Sequence, residues 1–451
     1  MSRPHVVVAG GGLAGLTAAI ACVDGGARVT LLEGKRHLGG ATYSFERDGL
    51  MVDNGQHVFL RCCEAYMWFL ERVGVADKVT LQSRLEIPVV GPTGETAWLK
   101  SSRLPAPLQL GPSLARFKFL KLVERLRVAF AARKLAAVDL SDSEQDEHSF
   151  HDWLRRHGQS ERAIDSFWDL IVLPTLNVPS SRASLTLAAK VFQTGLLEDR
   201  SAGDMGYPAV PLSELHADPA EELLHKRGSR VLKGVRVRSI GASSGGFQVA
   251  VHGGDSFSAD AVVVAVPHES AAQIVPREAV GDPPQFQRLG TSPIVNLHVI
   301  YDRKVMDWPH AAGIDGPVQW VFDRTNIAGC ERGQYLAVSL SAADEYVGES
   351  NSALKSKFLD ALASVFPKAR GASVESFFVT REYAATFLQS PGSAVLRPGP
   401  VTRMPGLFLA GAWTDTGWPA TMEGAVRSGL SAAREALKGL NLPSRNTPTY
   451  A

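Results

Sequence analysis

Near the start of the chain, Gly10, Gly12 and Gly15 are spaced G-x-G-x-x-G, and Glu33 follows eighteen residues after the last of them. These types at this spacing suit one task, holding a dinucleotide by its pyrophosphate. Gly10 permits a tight turn, Gly12 lets backbone come up to the phosphates, and Gly15 lets a helix pack closely on a strand. The amides of Leu13, Ala14 and Gly15 then form the first turn of a helix, whose positive end and free N–H groups favour an anion. Glu33 suits paired hydrogen bonds to an adenosine ribose. The unit alone does not separate NAD from FAD.

The elements that must position these residues are a strand over 6–9, a helix over about 13–23 and a second strand over 29–32, together a βαβ unit. Residues 6–23 carry no charge and follow "MSRPH", the outline of a signal peptide or a short membrane span. Four glycines would spoil such a helix, and no other stretch approaches a membrane span, so a cytoplasmic location is expected.

With 451 residues, 45% hydrophobic and 21% charged, the chain can bury a large core in two or three domains. Forty-seven basic residues against forty-six acidic ones leave a net charge of +1, and no global field points to nucleic acid. Cys22, Cys62, Cys63 and Cys330 form neither C-x-x-C nor a zinc pattern, so no metal site is expected. Buried bystander thiols are the favoured reading, with Cys62 and Cys63 as a redox pair the alternative. One segment is locally basic. Residues 116–134 hold seven basic residues and one acid, Glu124, with Phe119, Leu122, Val123, Leu126 and Phe130 on a helical stripe. Core packing with a solvated basic back is one reading; a contact with an anionic membrane is the other.

After the second strand, "EGKRHLGGATYSF" resembles the corresponding stretch of the flavin amine oxidase and phytoene desaturase superfamily. Gly34, Lys35, Gly39, Gly40 and Ala41 are then expected along the cofactor's phosphate arm, with Lys35 and Ala41 where arginines are common. "LFLAGAWTDTGWPATMEGAVRSG" (407–429) resembles the same superfamily's C-terminal flavin motif. The resemblance implies FAD, with Gly411, Ala412, Pro419, Thr421, Met422 and Glu423 at the cofactor and the backbone near Val237 at the adenine. Ala412 replaces a usual acid, and Asp415 is the candidate substitute. Thr421 is read as a helix cap and Pro419 as a first-turn proline. Gly424 and Ala425 are read as small to let the ring stack there. The implied fold class is α/β, a discontinuous Rossmann-like FAD domain (1–84, 205–275, 401–440) interleaved with an α+β substrate domain (85–204, mostly helical, and 276–400). Residues 441–451 are expected to be a disordered tail.

A closer resemblance, to the hydroxysqualene dehydroxylases of hopanoid synthesis, rests on "DNGQH", "LPTLNVP", "GYPAVPLSELHADPA" and "WTDTGWPATMEGAVRSG". It implies hydride delivery from reduced FAD to hydroxysqualene as its hydroxyl leaves as water, giving squalene. The electron donor is left open. That chemistry needs a dry tunnel and an acid. His57, oriented by Asp53 on the "DNGQH" strand, is the candidate acid, and Trp418 and Trp168 are candidate walls of the substrate cavity. A substrate and product of this kind exchange with a bilayer, which favours a peripheral membrane contact through 116–134 on the inner face of the cytoplasmic membrane. The rival readings are a phytoene desaturase-like enzyme running the hydride the other way and a non-catalytic, flavin-stabilised lipid-binding partner.

Overall fold

The computed structural model describes residues 3–281 and 284–450. The sequence His5–Ala9, all apolar after the histidine, is the central strand of a five-stranded parallel sheet. Its order is Arg230–Lys233, Arg28–Glu33, His5–Ala9, Ala261–Val264 and Leu407–Leu409, so three distant parts of the chain build one sheet. Successive side chains go to opposite faces. Val6 and Val8 meet the helices Leu13–Asp24 and Met422–Gly439, whereas Val7 and Ala9 meet an antiparallel layer of Val237–Ser243, Gly246–Val251 and Ser256–Ala259. The two helices touch backbone to backbone: a β-carbon on Gly429 would stand 2.3 Å from the carbonyl oxygen of Ala14.

A seven-stranded mixed sheet forms the second layer system, with Val374–Phe387 and Thr291–Tyr301 at one edge and Glu86–Val90 and Thr96–Lys100 at the other. One part of it packs on the helix Asn351–Val365. Another packs on a helical core drawn from Leu122–Leu135, Phe150–Arg156, Asp169–Leu176 and Leu185–Phe192. The stretch from 85 therefore opens with a hairpin, not a helix. Short alternating runs around "GPTGE" explain it.

Two expectations are corrected. The last residues are not a loose tail: Arg434 Nη2 donates to the Pro448 carbonyl at 2.8 Å, the Tyr450 hydroxyl to the Glu64 carbonyl at 3.3 Å, and Leu442 and Tyr450 pack on the first core. Two apolar anchors make this return favourable. The basic stripe is not core-packed, because Leu122–Leu135 buries Val128, Ala131 and Leu135 on its other side. Of the five stripe residues only Phe119 is buried. No helix among the described residues is long and apolar enough to cross a membrane.

Candidate active site

The glycine turn is set by sterics. Gly10 has φ +110°, and a β-carbon there would lie 2.5 Å from the Ala265 carbonyl oxygen; on Gly15 it would lie 1.9 Å from the Gly10 oxygen. Gly12 differs, since its added β-carbon would meet only the Gly40 Cα, at 3.6 Å. That open direction lies at the start of Leu13–Asp24, where no side chain caps the first-turn amides of Leu13 and Ala14. Gly39 donates its amide to the Gly11 carbonyl at 2.9 Å, and Gly40, at φ +63°, could not carry a side chain without pressing on Gly12. The two glycine runs thus lie backbone against backbone.

Glu33 ends its strand and accepts from the amides of Gly11, at 2.6 Å, and Lys35, at 2.7 Å. Arg236 covers Gly34, Lys35 is exposed with its ammonium over Tyr43, and Ala41 is exposed beyond the glycine pair. The amide of Val235 is bound to the Glu33 carbonyl, which brings buried Val237 to the same end of the sheet.

The C-terminal end is set by side chains. Thr421 is the cap of Met422–Gly439, accepting from the Gly424 amide at 3.2 Å, so the amides of Met422 and Glu423 have no acceptor among the described residues. Pro419 is not a first-turn residue: it lies two positions before the cap, where its carbonyl accepts from the Thr421 amide. That same carbonyl would be 2.5 Å from a β-carbon on Gly424, which gives Gly424 a local reason to be small. The Glu423 carboxylate is turned away from the helix start; it accepts from the amides of Ala65 and Tyr66 and pairs with Arg427 Nε at 2.7 Å, all buried. Its work is to join this helix to Glu64–Val73.

Two residues missed by the sequence reading hold the loop before Thr421. Arg397, 7% exposed, donates through Nη2 to the carbonyls of Thr414 (2.6 Å), Trp418 (2.8 Å) and Ala412 (3.4 Å). Burial pulls its pKa down to about 10, which leaves it charged at neutral pH, and its Nε is a buried donor without a partner. Gln389, fully buried, accepts from the Ala420 amide and donates to the Leu176 carbonyl. No local pattern marks either residue. Gly411, at φ +136°, gives its amide to Ser428. Asp415 is exposed and accepts from the Gly417 amide, so its carboxylate does not stand in for an acid at Ala412.

Between the two ends lies the "DNGQH" stretch. Only Asp53 belongs to a strand, Leu50–Asp53, and 54–58 is a loop. Asp53 does not hydrogen-bond His57. It pairs with buried Arg324 and accepts from Ser44 Oγ and the Leu212 amide. Asn54 ties the loop to the edge of the seven-stranded sheet, donating to the Ala41 carbonyl (2.9 Å) and Glu382 (3.0 Å), while its own carbonyl accepts from Asn296 and Thr380. Thr380 spends its proton there, so His298 donates to it through Nε2 and accepts from the Tyr335 hydroxyl through Nδ1.

His57 is half-buried in the loop that follows Leu50–Asp53. Burial lowers its pKa to about 4, with the Asp53 charge opposing, so the ring is neutral at neutral pH. His216 is lowered to about 3 by burial, with His57 adding, and meets the Tyr66 hydroxyl at 2.7 Å. Trp418 is buried with the Arg427 guanidinium 4.6 Å and the Lys190 ammonium 5.3 Å from its ring, and its Nε1 has no partner. Trp168 is a core residue, 1% exposed, bonded through Nε1 to Gln159 and packed on Phe150 and Phe192. As part of a substrate wall it is corrected: its indole is spent inside the helical core.

The open approach at Gly12 and the free first-turn amides of Leu13 and Ala14 and of Met422 and Glu423 fit a flavin cofactor. Comparisons with known proteins agree. The chain is 29% identical to a hydroxysqualene dehydroxylase of Rhodopseudomonas palustris over 95% of this chain and 97% of that one. It is 28% identical to one of Sinorhizobium fredii, over 97% and 99%. A 15-cis-phytoene desaturase of Narcissus pseudonarcissus is 24% identical, over 98% of this chain and 81% of the other. Among solved structures, a putrescine oxidase superposes with a TM-score of 0.75 at 19% identity, over 97% and 99% of the two chains. The family model for flavin containing amine oxidoreductases matches residues 13–437, nearly the whole chain, and the protein belongs to that family of flavin-dependent oxidoreductases.

Proposed function

We propose that the protein binds FAD and reduces hydroxysqualene to squalene. The observation that carries the FAD assignment is the pair of helix starts with free first-turn amides, at Leu13 and at Met422, brought together from opposite ends of the chain on one parallel sheet. The substrate is proposed from the relatives: the hydroxysqualene dehydroxylases are more similar to this chain than the phytoene desaturase is, at 29% and 28% against 24% identity.

Gly10, Gly12, Leu13, Ala14 and Gly15 would hold the pyrophosphate, with Gly39, Gly40 and Ala41 closing over it. Glu33, now on the amides of Gly11 and Lys35, would exchange one of them for the ribose. The Met422 amide and its helix end would face the ring's pyrimidine edge and stabilise negative charge there. When bound, the reduced flavin supplies a hydride. Trp418, flanked by two cations, would form an apolar wall.

His57 is the residue we assign to the leaving hydroxyl. With a pKa of about 4, about one ring in a thousand is protonated at pH 7. Transfer from the imidazolium therefore requires the chemical step to slow about tenfold for each pH unit above 4. A flat profile between pH 5 and 7, or normal turnover in His57→Gln with FAD retained, would remove His57 from this role.

The main test is an anaerobic single turnover. Reduced holoprotein mixed with hydroxysqualene in detergent should reoxidise its flavin in step with squalene appearing by mass spectrometry. Reduced flavin that persists with no squalene formed would overturn the substrate assignment, and hydride uptake from phytoene by the oxidised form would replace it. Hydrocarbons of thirty carbons are held in lipid, not water, so we further propose a peripheral membrane contact through 116–134.

A further inference from the structure

The helix Leu122–Leu135 carries apolar residues on two opposite faces. Val128, Ala131 and Leu135 are buried, while Leu122, Val123, Leu126 and Phe130 are 67%, 58%, 64% and 55% exposed. At about 100° per residue these four fall within an arc of roughly 100°, across from the buried three. Scattered exposed apolar residues are ordinary; four large ones side by side on one helix are not. Leu108, 59% exposed, extends the surface from the short helix Leu108–Leu110, which contacts Gly111–Ala115, itself in contact with the basic helix.

Charge selects what covers this face. Its one acid, Glu124, is used internally, accepting from the Lys121 amide at 2.8 Å and Ser160 Oγ at 2.6 Å. Lys121, Arg133 and Lys134 are exposed, Arg133 falls on the same arc as Leu122 and Leu126, and the Lys134 ammonium lies 5.6 Å above the Phe130 ring. An apolar ridge edged by cations complements an anionic interface, whereas two copies of it would bring like charges together.

We propose that this face docks into an anionic lipid bilayer, with Leu122, Val123, Leu126 and Phe130 at the acyl boundary and Lys121, Arg133 and Lys134 at the headgroup phosphates. It deepens the reading above by naming the phase that exchanges substrate and product. The buried side of the helix packs into the core that contains Phe167, Trp168 and Phe192, so docking places the substrate domain directly on the lipid.

The test is flotation of the FAD-loaded full chain with vesicles of phosphatidylcholine alone or mixed with phosphatidylglycerol. The wild-type protein should float with the mixed vesicles, sink with the neutral ones and be released by high salt. Leu122→Ser, Leu126→Ser and Phe130→Ser combined should lower partitioning about a hundredfold, with flavin absorbance and melting temperature unchanged because the buried face is untouched. Lys121→Glu with Arg133→Glu should abolish the preference for anionic lipid. Equal flotation of the triple variant, no flotation of the wild type, or a wild-type dimer that the triple variant converts to monomer without lipid would each overturn the proposal. Because flotation reads lipid and not turnover, the lipid contact and the hydroxysqualene assignment can fail separately.

Discussion

At Gly15 a β-carbon would stand 1.9 Å from the carbonyl oxygen of Gly10, five positions earlier in the same turn, whereas at the other end of the frame Arg397 reaches across fifteen to twenty-one positions to gather the carbonyls of Ala412, Thr414 and Trp418. The first mount is made of absent side chains and the second of present ones. A mount made by exclusion leaves one residue type at each position, glycine, and shows as a pattern. One made by a buried guanidinium and a buried amide needs partners far along the chain, and shows as nothing.

The largest effect expected is at the excluded positions. Gly15→Val should prevent the turn from closing, giving protein without flavin absorbance and with a melting temperature too low to measure or lower by many degrees. Gly12→Ala should separate fold from function, since its β-carbon meets only Gly40 Cα at 3.6 Å. It should melt as the wild type does and lose at least about tenfold in FAD affinity. If both variants keep flavin, the glycines are not the phosphate mount.

That contrast also accounts for what was legible. The first two strands of the parallel sheet and the Thr421 cap followed from local pattern, because each is fixed by neighbours within a few residues, whereas the glycine pair at 39 and 40, packed on Gly11 and Gly12, followed from resemblance. Trp168 was misjudged because an aromatic on a helix says nothing of whether its indole is spent on a partner such as Gln159. Asp53 was expected to orient His57, but its ion pair is with Arg324, 271 positions away. The apolar stripe of the basic helix was found by periodicity, yet periodicity finds a stripe without saying which side the protein covers.

Acid should act next most strongly, and on the side-chain mount first. The helix Glu64–Val73 gives its Tyr66 amide to Glu423 and pairs its Tyr66 hydroxyl with His216, so the C-terminal helix is backed by a buried histidine. His216 and His298 are both lowered to about 3, and His57 to about 4, chiefly by burial. Their folded pKa values lie below the unfolded value near 6.5, so their contribution is complete above that pH and is lost as pH falls toward 3. Each proton taken up on unfolding costs roughly 1.4 kcal/mol of stability per pH unit. Urea melts at pH 7, 6, 5 and 4 should show stability falling throughout, and hydrogen exchange at pH 5 should open Glu64–Val73 and Met422–Gly439 before Leu13–Asp24. Stability that is level from pH 7 to 5 would refute the depressed histidines.

Arg397→Met comes third. It leaves three carbonyls, two of them buried, short of a donor, which costs, and removes a buried charge, which offsets part of that; a net loss of about 2–4 kcal/mol is expected. FAD should dissociate faster while the glycine end stays intact, so an adenosine diphosphate fragment should bind as it does to the wild type. A melting temperature within about half a degree of wild type, on the order of what a few tenths of a kcal/mol produce in a chain of this length, would show that the loop holds itself.

The smallest change runs the other way. Among the described residues Arg397 has no carboxylate within ion-pair reach and its Nε no partner, and its Nη2 lies 3.4 Å from the Ala412 carbonyl. Ala412→Asp would offer the guanidinium a counter-ion over a gap its Nη2 already spans to the Ala412 carbonyl. The gain should be about 1 kcal/mol, because the site is partly exposed and an ion pair there is screened. Thermal melts with and without FAD distinguish the ways this can happen. A rise in both says that Arg397 wanted a partner; a rise only with FAD says that the acid meets the cofactor; and a fall in both says that the three carbonyls already satisfy the charge, in which case the side-chain mount is as complete as the glycine one.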